Sequence, residues 1–589
     1  GALPGAVADG LSSPDGRTVL WALVAIAGAF LASGVGEAVE GLVQRTLTAR
    51  FILSVHDTVA RATARPGGIA ALEDPRTVGE LAAIETYDRD GVLTEAVRCT
   101  QRVINARVQA AVAFVVLLGF RWWAPLVLLV AWQLAHLAYA RSMDEGSGIY
   151  HEQRTTGLRR ALYVRNLAVD SPAAKEVRVF GLGGWLVSRY TAEWQAAMQR
   201  MWSGRGTDRR MTVLATAGIT AANVIVLATL GWSAWVGDLS IAALVVFVQA
   251  VLATESQGPI EWDQWILSQT LLCARKTLDL EDRLRDTAPP SYVRTPADKG
   301  ASGPVKVTLR DVHFTYPGHE TTTLDGLNLT IPAGQSCAIV GVNGAGKTTL
   351  VKLLCGLYAP DAGEVLLDGD ADLARARARI AVIFQNFVRY ELPLRDNVGF
   401  GALGHALDTE AVDAALHDAG GTDLLADLPA GWDTVLARDY DNGADLSGGQ
   451  WQKVALARAM LAVRAGAGLL ILDEPTANLD VRAEAELFDV VLRGFQGGPA
   501  YGSDEGRAPH PAVTTILVSH RLSSVRRADR IVVVADGRIV EDGTHADLMS
   551  AGGRYASMYT LQAERFAAET ANSAAANSAA ETAEASQHA

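Results

Sequence analysis

The order of apolar and polar residues divides the chain into two halves with different periods. Before about residue 287 lie apolar stretches long enough, alone or as hairpins, for membrane-spanning helices of about 20 residues each. Five such stretches begin near Val19, Val103, Pro125, Met211 and Ser240. After about residue 304, short apolar runs alternate with helix-like stretches, which predicts a mainly parallel α/β sheet.

Two of the apolar regions are too long for one span and are broken by turn-like sequence. Residues 103–140 break at FRWWAP, and residues 211–253 break at GWSAWVGDLS, so each predicts a tight hairpin. The tryptophans of these turns and of the first span fall at one predicted membrane face, as in an aromatic belt. They are Trp21, Trp122, Trp123, Trp232 and Trp235.

The polar stretches between the hairpins, residues 45–101 and 141–210, are rich in arginine and still compatible with helix. The excess of positive charge places them in the cytoplasm, as helical extensions of the spans. With these loops inside, residues 1–17 must lie outside. We therefore expect five visible spans, with the first of six absent from the sequence as given.

Polar residues within apolar spans are costly and usually face protein or water. Those found here are Glu37, Glu40, Gln133, His136, Asn223, Gln249 and Glu255. One interpretation is a hydrated cytoplasmic vestibule. The other is an acidic cavity favouring a cationic cargo, beside a kink at Gly258-Pro259, formed by Glu37, Glu255, Glu261 and Asp263.

Local composition predicts the order of the domains, and net charge and cysteine spacing narrow the possible partners and bonds. The predicted order is an all-α transmembrane domain (1–287), a Pro- and Ser-rich linker (288–303), an α/β domain (304–566) and an Ala-rich tail (567–589). A net charge of −13 argues against nucleic acid as the main partner. The four cysteines lack any C-x-x-C pairing, which predicts free thiols: Cys99, Cys273, Cys337 and Cys355.

Six strands are expected in the α/β domain, and the second is followed by a phosphate-binding pattern. The strands are 305–309, 336–340, 380–384, 469–472, 514–519 and 531–535. G-x-x-x-x-G-K-T follows the second strand: its glycines turn backbone N–H groups towards a phosphate, Lys347 adds charge over the β- and γ-phosphates, and the Thr348 hydroxyl can ligate Mg²⁺. The predicted nucleotide-binding residues here are Gly341, Asn343, Gly344, Ala345, Gly346, Lys347, Thr348 and Thr349.

Two further strand ends carry candidate catalytic groups. LLILDE places Asp473 to hold Mg²⁺ and Glu474 to polarise an attacking water. TTILVSH ends at His520, whose imidazole can contact a γ-phosphate. In DLSGGQ, Ser447 suits a helix N-cap, and Gly448 and Gly449 allow close approach of an anion.

These motifs together resemble the ATP-binding cassette (ABC) transporters over nearly the whole chain. GVNGAGKTT is similar to the phosphate loop of that family, LSGGQ to its signature and LLILDEP to its magnesium strand with the catalytic glutamate. By the same resemblance, Tyr316 stacks on adenine, Gln385 links Mg²⁺ and the attacking water to the membrane domain, and Asp480 lies in the inter-subunit loop. The resemblance implies ATP and Mg²⁺ as cofactors, with Thr348, Gln385 and Asp473 around the metal.

The resemblance also implies a partner and a mechanism. Two cassettes bind head to tail, and Ser447, Gly448, Gly449 and Gln450 of one close over ATP held by the other. Cytoplasmic turns near 72–80 and 170–177, with Pro75 and Pro172, would be coupling helices. The order of domains is similar to that of exporter halves in a bacterial inner membrane, with the cassette in the cytoplasm.

Three functions are consistent with the sequence. The first is an ATPase-driven exporter of a small molecule, peptide or lipid-like cargo, hydrophobic or cationic, working as a homodimer, with a heterodimer as the alternative. The second is an importer of the same architecture, for example for siderophore-like cargo. The third is a membrane-tethered ABC ATPase that acts on nucleic acid or ribosomes without transport.

Overall fold

A computed structural model describes residues 16–170, 172–204, 209–258, 261–286, 303–405, 408–475 and 512–564. The chain forms two compact units that alternate along the sequence. The first contains the chain up to Ala64 together with Pro75–Asp286, and the second contains Arg65–Asp74 together with the chain from Thr287 onwards. The predicted tail and nearly all of the predicted linker lie outside the described residues.

Helices make up the first unit. Numbered in chain order, and including α2 of the second unit, they are α1 (Gly16–Ala64), α2 (Ala70–Glu73), α3 (Pro75–Arg89), α4 (Val92–Leu118), α5 (Trp123–Val169), α6 (Ala174–Val179), α7 (Gly183–Gly204), α8 (Arg209–Trp235), α9 (Ile241–Ala253) and α10 (Glu261–Asp286).

Three of these helices contain stretches long and apolar enough to cross a membrane: Leu23–Ala64, Val92–Leu118 and Val213–Trp235. Trp123–Leu137 and Ile241–Ser256 are shorter apolar helices, so all five predicted stretches are helical. α1 and α5 have 49 and 47 residues. At 1.5 Å per residue each is about 70 Å long, more than twice the hydrocarbon thickness of about 30 Å. The prediction that the spans continue as helices beyond the membrane is confirmed.

The two predicted hairpins are also confirmed. α4 ends at Leu118 and α5 begins at Trp123, while α8 ends at Trp235 and α9 begins at Ile241. The Ser240 hydroxyl caps α9 by accepting the Ala243 N–H at 3.2 Å. Apolar residues of all four helices form one buried cluster next to these turns, including Leu117, Leu128, Val226, Leu230 and Val251.

The tryptophans at the helix ends point away from that cluster, with one exception. Trp21, Trp122, Trp232 and Trp235 are between 70% and 87% exposed, so they are not core residues. Trp123 packs partly against the cluster. Exposed indole rings at helix ends are typical of an interfacial belt.

The last membrane helix is interrupted where the sequence predicts a kink. α9 ends at Ala253, a 3₁₀ turn covers Thr254–Gln257, and α10 begins only at Glu261. Arg107 Nη1 donates to the Ser256 carbonyl at 3.1 Å, which satisfies a group freed by the break. A Cβ on Gly258 would lie 2.7 Å from the Trp132 ring, so this position requires glycine. Pro259 lies outside the described residues.

The structure removes Asp263 from the suggested acidic cavity, and the rest of that interpretation stays a prediction. Asp263 is buried and forms an ion pair with Arg102 of α4, so its charge is compensated and does not contribute to an acidic surface. Glu37 and Glu255 are exposed, and the side chain of Glu261 lies outside the described residues. The opposing arginine could not be foreseen because it lies 161 positions away in the sequence.

The second unit contains two sheets. Its strands are β1 (Val307–Phe314), β2 (Leu324–Ile331), β3 (Ser336–Val340), β4 (Ala362–Leu367), β5 (Ile380–Ile383), β6 (Leu469–Asp473), β7 (Thr514–Val518), β8 (Arg530–Ala535) and β9 (Arg538–Gly543). One sheet has the order β5-β6-β7-β3-β8-β9, parallel except for β9, and the other is antiparallel with the order β2-β1-β4. The parallel α/β prediction is confirmed, although β2, β4 and β9 were not predicted.

Helices and a second short antiparallel layer cover the two faces of the large sheet. The helices are α11 (Lys347–Leu354), α12 (Leu373–Ala376), α13 (Leu394–Gly399), α14 (Thr409–Asp418), α15 (Thr422–Asp427), α16 (Gly448–Arg464), α17 (Leu522–Val525) and α18 (His545–Ala551). Successive residues of β3 alternate between two cores: Ala338 and Val340 pack with α16, while Cys337 and Ile339 pack with α11.

All four cysteines are buried and free, as the sequence predicts. Burial raises the pKa of the Cys337 and Cys355 thiols to about 12, so both are uncharged at neutral pH. They behave as small apolar residues of the core.

Close backbone packing between α16 and the segment after α13 yields a stability prediction. A Cβ on Gly401 would lie 2.0 Å from the Arg458 carbonyl oxygen, whereas a Cβ on Gly404 meets open space. Gly401→Ala should therefore destabilise the second unit by about 1–3 kcal/mol through overpacking. Thermal unfolding of the purified chain measures this as a fall in melting temperature. Gly404→Ala is the matched control and should leave it unchanged; equal shifts for both variants would contradict the packing argument.

Candidate active site

The phosphate loop connects the central strand β3 to the first turn of α11. Its shape depends on glycine at two positions. A Cβ on Gly341 would lie 2.2 Å from the Val534 carbonyl oxygen, and Gly346 has φ +98° with a Cβ position 2.7 Å from Leu324. Asn343 and Gly344 are exposed at the tip of the loop, and Ala345 is buried beneath it.

Lys347 projects its ammonium group into the mouth of this loop. Nζ donates to the carbonyl oxygens of Gly341 at 2.9 Å and Val342 at 3.0 Å. Burial lowers the pKa of Lys347, while the nearby carboxylates of Glu474 and Asp473 act in the opposite direction. The loop therefore holds a desolvated positive charge next to inward-turned backbone, an arrangement suited to an anion.

Asp473 ends β6 and is completely buried. Neither carboxylate oxygen has a hydrogen-bond partner of good geometry among the described residues. Burial raises the pKa of Asp473 to about 6; the Thr348 hydroxyl opposes this, Glu474 adds to it and Lys347 opposes it. A buried, unpartnered carboxylate beside a hydroxyl offers hard oxygen ligands, so Asp473 and Thr348 fit Mg²⁺.

Glu474 lies between two polar side chains from neighbouring segments. Gln385 Nε2 donates to Glu474 Oε2 at 2.8 Å, and His520 Nδ1 lies 3.5 Å from Oε1. The Glu474 backbone has φ +48°, a left-handed conformation that is uncommon for a non-glycine residue, and its N–H donates to the Val518 carbonyl at 2.9 Å. The geometry brings the three predicted catalytic residues together, so that a water beside Glu474 would be oriented from both sides.

Tyr316 lies along the face of α11 next to the phosphate loop. Its hydroxyl is 3.1 Å from Thr349 Oγ1, and its ring centroid is 5.3 Å from Lys352 Nζ and 5.4 Å from the Tyr358 ring centroid. The side chain is half-buried, so these neighbours hold the ring without covering it completely. An aromatic face at this place is suited to a planar base.

The signature segment begins α16 with a capping box. Ser447 Oγ accepts the Gln450 N–H at 3.4 Å, and Gln450 Oε1 accepts the Ser447 N–H at 2.9 Å. The Ser447 side chain is exposed at the helix start, with Gly448 and Gly449 following it. Asp480, which the resemblance places in an inter-subunit loop, lies outside the described residues.

Two residues that the sequence analysis did not single out tie the Gln385 segment to α16. Arg458 Nε donates to the Asn397 carbonyl at 2.9 Å, and its guanidinium lies 4.9 Å from the Tyr390 ring centroid. Asn397 is fully buried and donates to the carbonyls of Tyr390 and Leu392, each at 3.0 Å. Asn397 is buried and Arg458 is half-buried, and the local sequence does not indicate either position.

The turn of residues 65–74 is part of the second unit and packs against α11 and the residues that follow it. Ile69 N–H donates to the Leu357 carbonyl at 2.9 Å, the Tyr358 hydroxyl donates to the Glu73 carboxylate, and Lys352 Nζ lies 3.9 Å from Glu73 Oε1. Of the predicted coupling range 72–80, only the part up to Asp74 belongs to this unit, and Pro75 begins α3. The range 170–177 belongs to the first unit, and its role in coupling stays a prediction.

Comparison with known proteins agrees with this geometry. Residues 324–477 match the ABC transporter family. An ATP-dependent lipid A-core flippase of Thiobacillus denitrificans is 39% identical over 261 residues, which cover 44% of this chain and 41% of the relative. SpaT, the subtilin transport ATP-binding protein of Bacillus subtilis, is 28% identical over 495 residues, which cover 80% of this chain and 75% of the relative.

The fold has a close structural counterpart as well. A bacterial Atm1-family ABC exporter with ATP bound has a TM-score of 0.67 and 24% identity, covering 95% of this chain and 94% of that one. At this level of identity the likeness shows the fold alone. The chain spans between 39% and 55% of the length of the lipid A-core flippases it matches. It is an integral membrane protein with the fold of an ABC exporter, and the family match itself lies in residues 324–477.

Proposed function

We propose that the chain is one half of an ATP-driven exporter, and that two copies bind and hydrolyse ATP at their shared interface. The observation that carries this proposal is the Glu474 carboxylate placed between Gln385 and His520, next to the unpartnered carboxylate of Asp473. Such an arrangement has a general base, its orienting groups and oxygen ligands for a cation in one place.

Each part of the site has a role in this proposal. Lys347 and the phosphate loop would hold the triphosphate, Tyr316 would stack on the base, and Thr348, Asp473 and Gln385 would hold Mg²⁺. When bound, Mg²⁺ would supply positive charge next to the phosphates. Glu474 takes a proton from the attacking water, and His520 contacts the γ-phosphate. The LSGGQ segment of the second copy, with Asp480 next to it, closes over the nucleotide.

The direction and cargo of transport rest on the relatives. Their names describe a flippase acting on lipid A-core and a transport protein for subtilin. We infer export of an amphipathic, lipid-like or peptide-like cargo from a bacterial inner membrane, with the second unit in the cytoplasm. A homodimer is favoured because the phosphate loop, the signature, Glu474 and His520 all occur on one chain. The relatives do not favour the importer alternative.

Replacing the general base tests the catalytic assignment. Glu474→Gln keeps the size of the side chain but cannot accept a proton, so ATP hydrolysis should fall by about 100-fold or more. ATP binding should persist, and light scattering should detect an ATP-dependent dimer. Lys347→Ala is the contrasting variant, because it should weaken nucleotide binding itself. Normal hydrolysis by the Glu474→Gln variant would show that the assignment is wrong.

Two variants of Tyr316 distinguish the contribution of its ring to ATP binding from that of its hydroxyl. Tyr316→Ala should weaken ATP binding by about tenfold, since stacking on a base contributes about 1–3 kcal/mol. Tyr316→Phe keeps the ring and loses only the contact with Thr349, so its affinity should stay near that of the unchanged chain. Titration calorimetry with ATP measures both. If the two variants bind equally weakly, the hydroxyl carries the interaction.

Stimulation of ATP hydrolysis distinguishes transport from a tethered ATPase that acts on nucleic acid. In reconstituted lipid vesicles, a lipid-like or cationic amphiphile should raise the hydrolysis rate of the unchanged chain, and single-stranded RNA should not. The Glu474→Gln variant serves as the control for contaminating ATPases. Stimulation by RNA alone would contradict the transport proposal.

A further inference from the structure

One side chain from the last described helix forms hydrogen bonds with the backbone of His520 and of Leu522, two residues after it. Residues 554–564 are helical, and Gln562 lies in the last turn of this helix. Gln562 Oε1 accepts the Leu522 N–H at 2.7 Å, and Gln562 Nε2 donates to the His520 carbonyl at 3.2 Å. The two ends of one amide therefore bind backbone groups two residues apart.

These two backbone groups need a partner from outside their own segment. Leu522 begins the short helix α17, whose first N–H groups have no intrahelical acceptor. The N-cap residue Arg521 supplies no side-chain cap, and the Ser519 hydroxyl accepts the Arg521 N–H at 3.0 Å. Gln562 thus caps α17 from a distance of 40 residues along the chain.

Glutamine fits this position because it has a donor and an acceptor on the same side chain. A carboxylate could accept the Leu522 N–H but would face the His520 carbonyl with another acceptor. A methionine of similar length would satisfy neither backbone group. The contact therefore fixes both the position and the orientation of the loop that carries His520.

The helix that carries Gln562 is itself firmly anchored. Tyr555 is fully buried, its hydroxyl is 2.8 Å from His545 Nδ1, and its N–H donates to the Glu541 carboxylate at 2.9 Å. The His520 side chain, by contrast, is half exposed, so packing alone does not determine where its ring lies. Gln562 thus bonds the backbone of the residue whose ring nitrogen lies 3.5 Å from Glu474 Oε1.

We propose that Gln562 is a positioning residue for His520: through the two backbone groups, it holds the imidazole in reach of Glu474 and of the γ-phosphate. The inference rests on the proposed function of this site. It predicts that loss of Gln562 slows hydrolysis while ATP binding is maintained. The reason is that the Gln562 side chain bonds the backbone of His520 and Leu522, whereas the phosphate loop and Tyr316 are proposed to bind ATP.

The test uses the full chain purified in detergent and three variants. Gln562→Met removes both hydrogen bonds and should lower kcat about five- to tenfold with KM for ATP within about twofold. Gln562→Glu keeps the acceptor for Leu522 and should give an intermediate kcat. Glu564→Ala, an exposed change on the same helix, is the control and should match the unchanged chain. An unchanged kcat in Gln562→Met, or a loss expressed only in KM, would overturn the proposal.

A second measurement distinguishes positioning from general support of the fold. His520→Ala and the double variant with Gln562→Met are compared by single-turnover hydrolysis, with protein in excess of ATP. Equal rates are expected, since Gln562 acts through His520. A further loss of the same factor in the double variant would overturn the proposal. If Gln562→Met does not fold, Gln562→Glu takes its place in this comparison. Normal hydrolysis by His520→Ala would instead contradict the proposed role of His520.

Discussion

Two buried charges dominate the second unit, at the ends of the parallel strands β6 and β3, which lie on either side of β7. The Asp473 carboxylate at the end of β6 has no exposed surface and no hydrogen-bond partner among the described residues, and the Lys347 ammonium lies buried in the phosphate loop after β3. Each would be costly in isolation, because desolvation of a single charge is compensated only by paired groups. This cost occurs where a magnesium ion would compensate the charge of Asp473 and a phosphate would compensate the charge of Lys347.

The rest of the unit holds these charges and the groups around them. β3, β6 and β7 lie next to one another, so that their carboxyl ends bring Lys347, Asp473, Glu474 and His520 to one edge of the sheet. Glu474 keeps a left-handed backbone that its neighbours on β7 hold through the Val518 carbonyl. Asn397 and Arg458 connect the segment after Gln385 to the helix that begins at Ser447. Residues in very different parts of the sequence therefore meet at one edge of the sheet.

Features of the fold and of the site that depend on neighbouring residues could be predicted from the sequence, whereas those that depend on residues far apart in the chain could not. β3 and β6 are continuous apolar runs buried on both faces, so their positions follow from the sequence directly. β4 and β9 have exposed or half-exposed residues in antiparallel pairs and carry no such signal. The ion pair with Arg102 compensates the charge of Asp263, and the Gln562 amide bonds the backbone of His520 and Leu522. Both depend on partners 161 and 40 residues away, which no local pattern reveals.

The turn of residues 65–74 has a mechanical consequence for the whole chain. The polypeptide crosses between the two units three times, after Ala64, after Asp74 and after Asp286. A body attached by one flexible linker can rotate freely, but a body attached at three points transmits torque along each attachment. Two of the three attachments lead directly into α1 and α3, and α1 is a single helix of 49 residues. A displacement of residues 65–74 would therefore act directly on the ends of both helices through the covalent backbone.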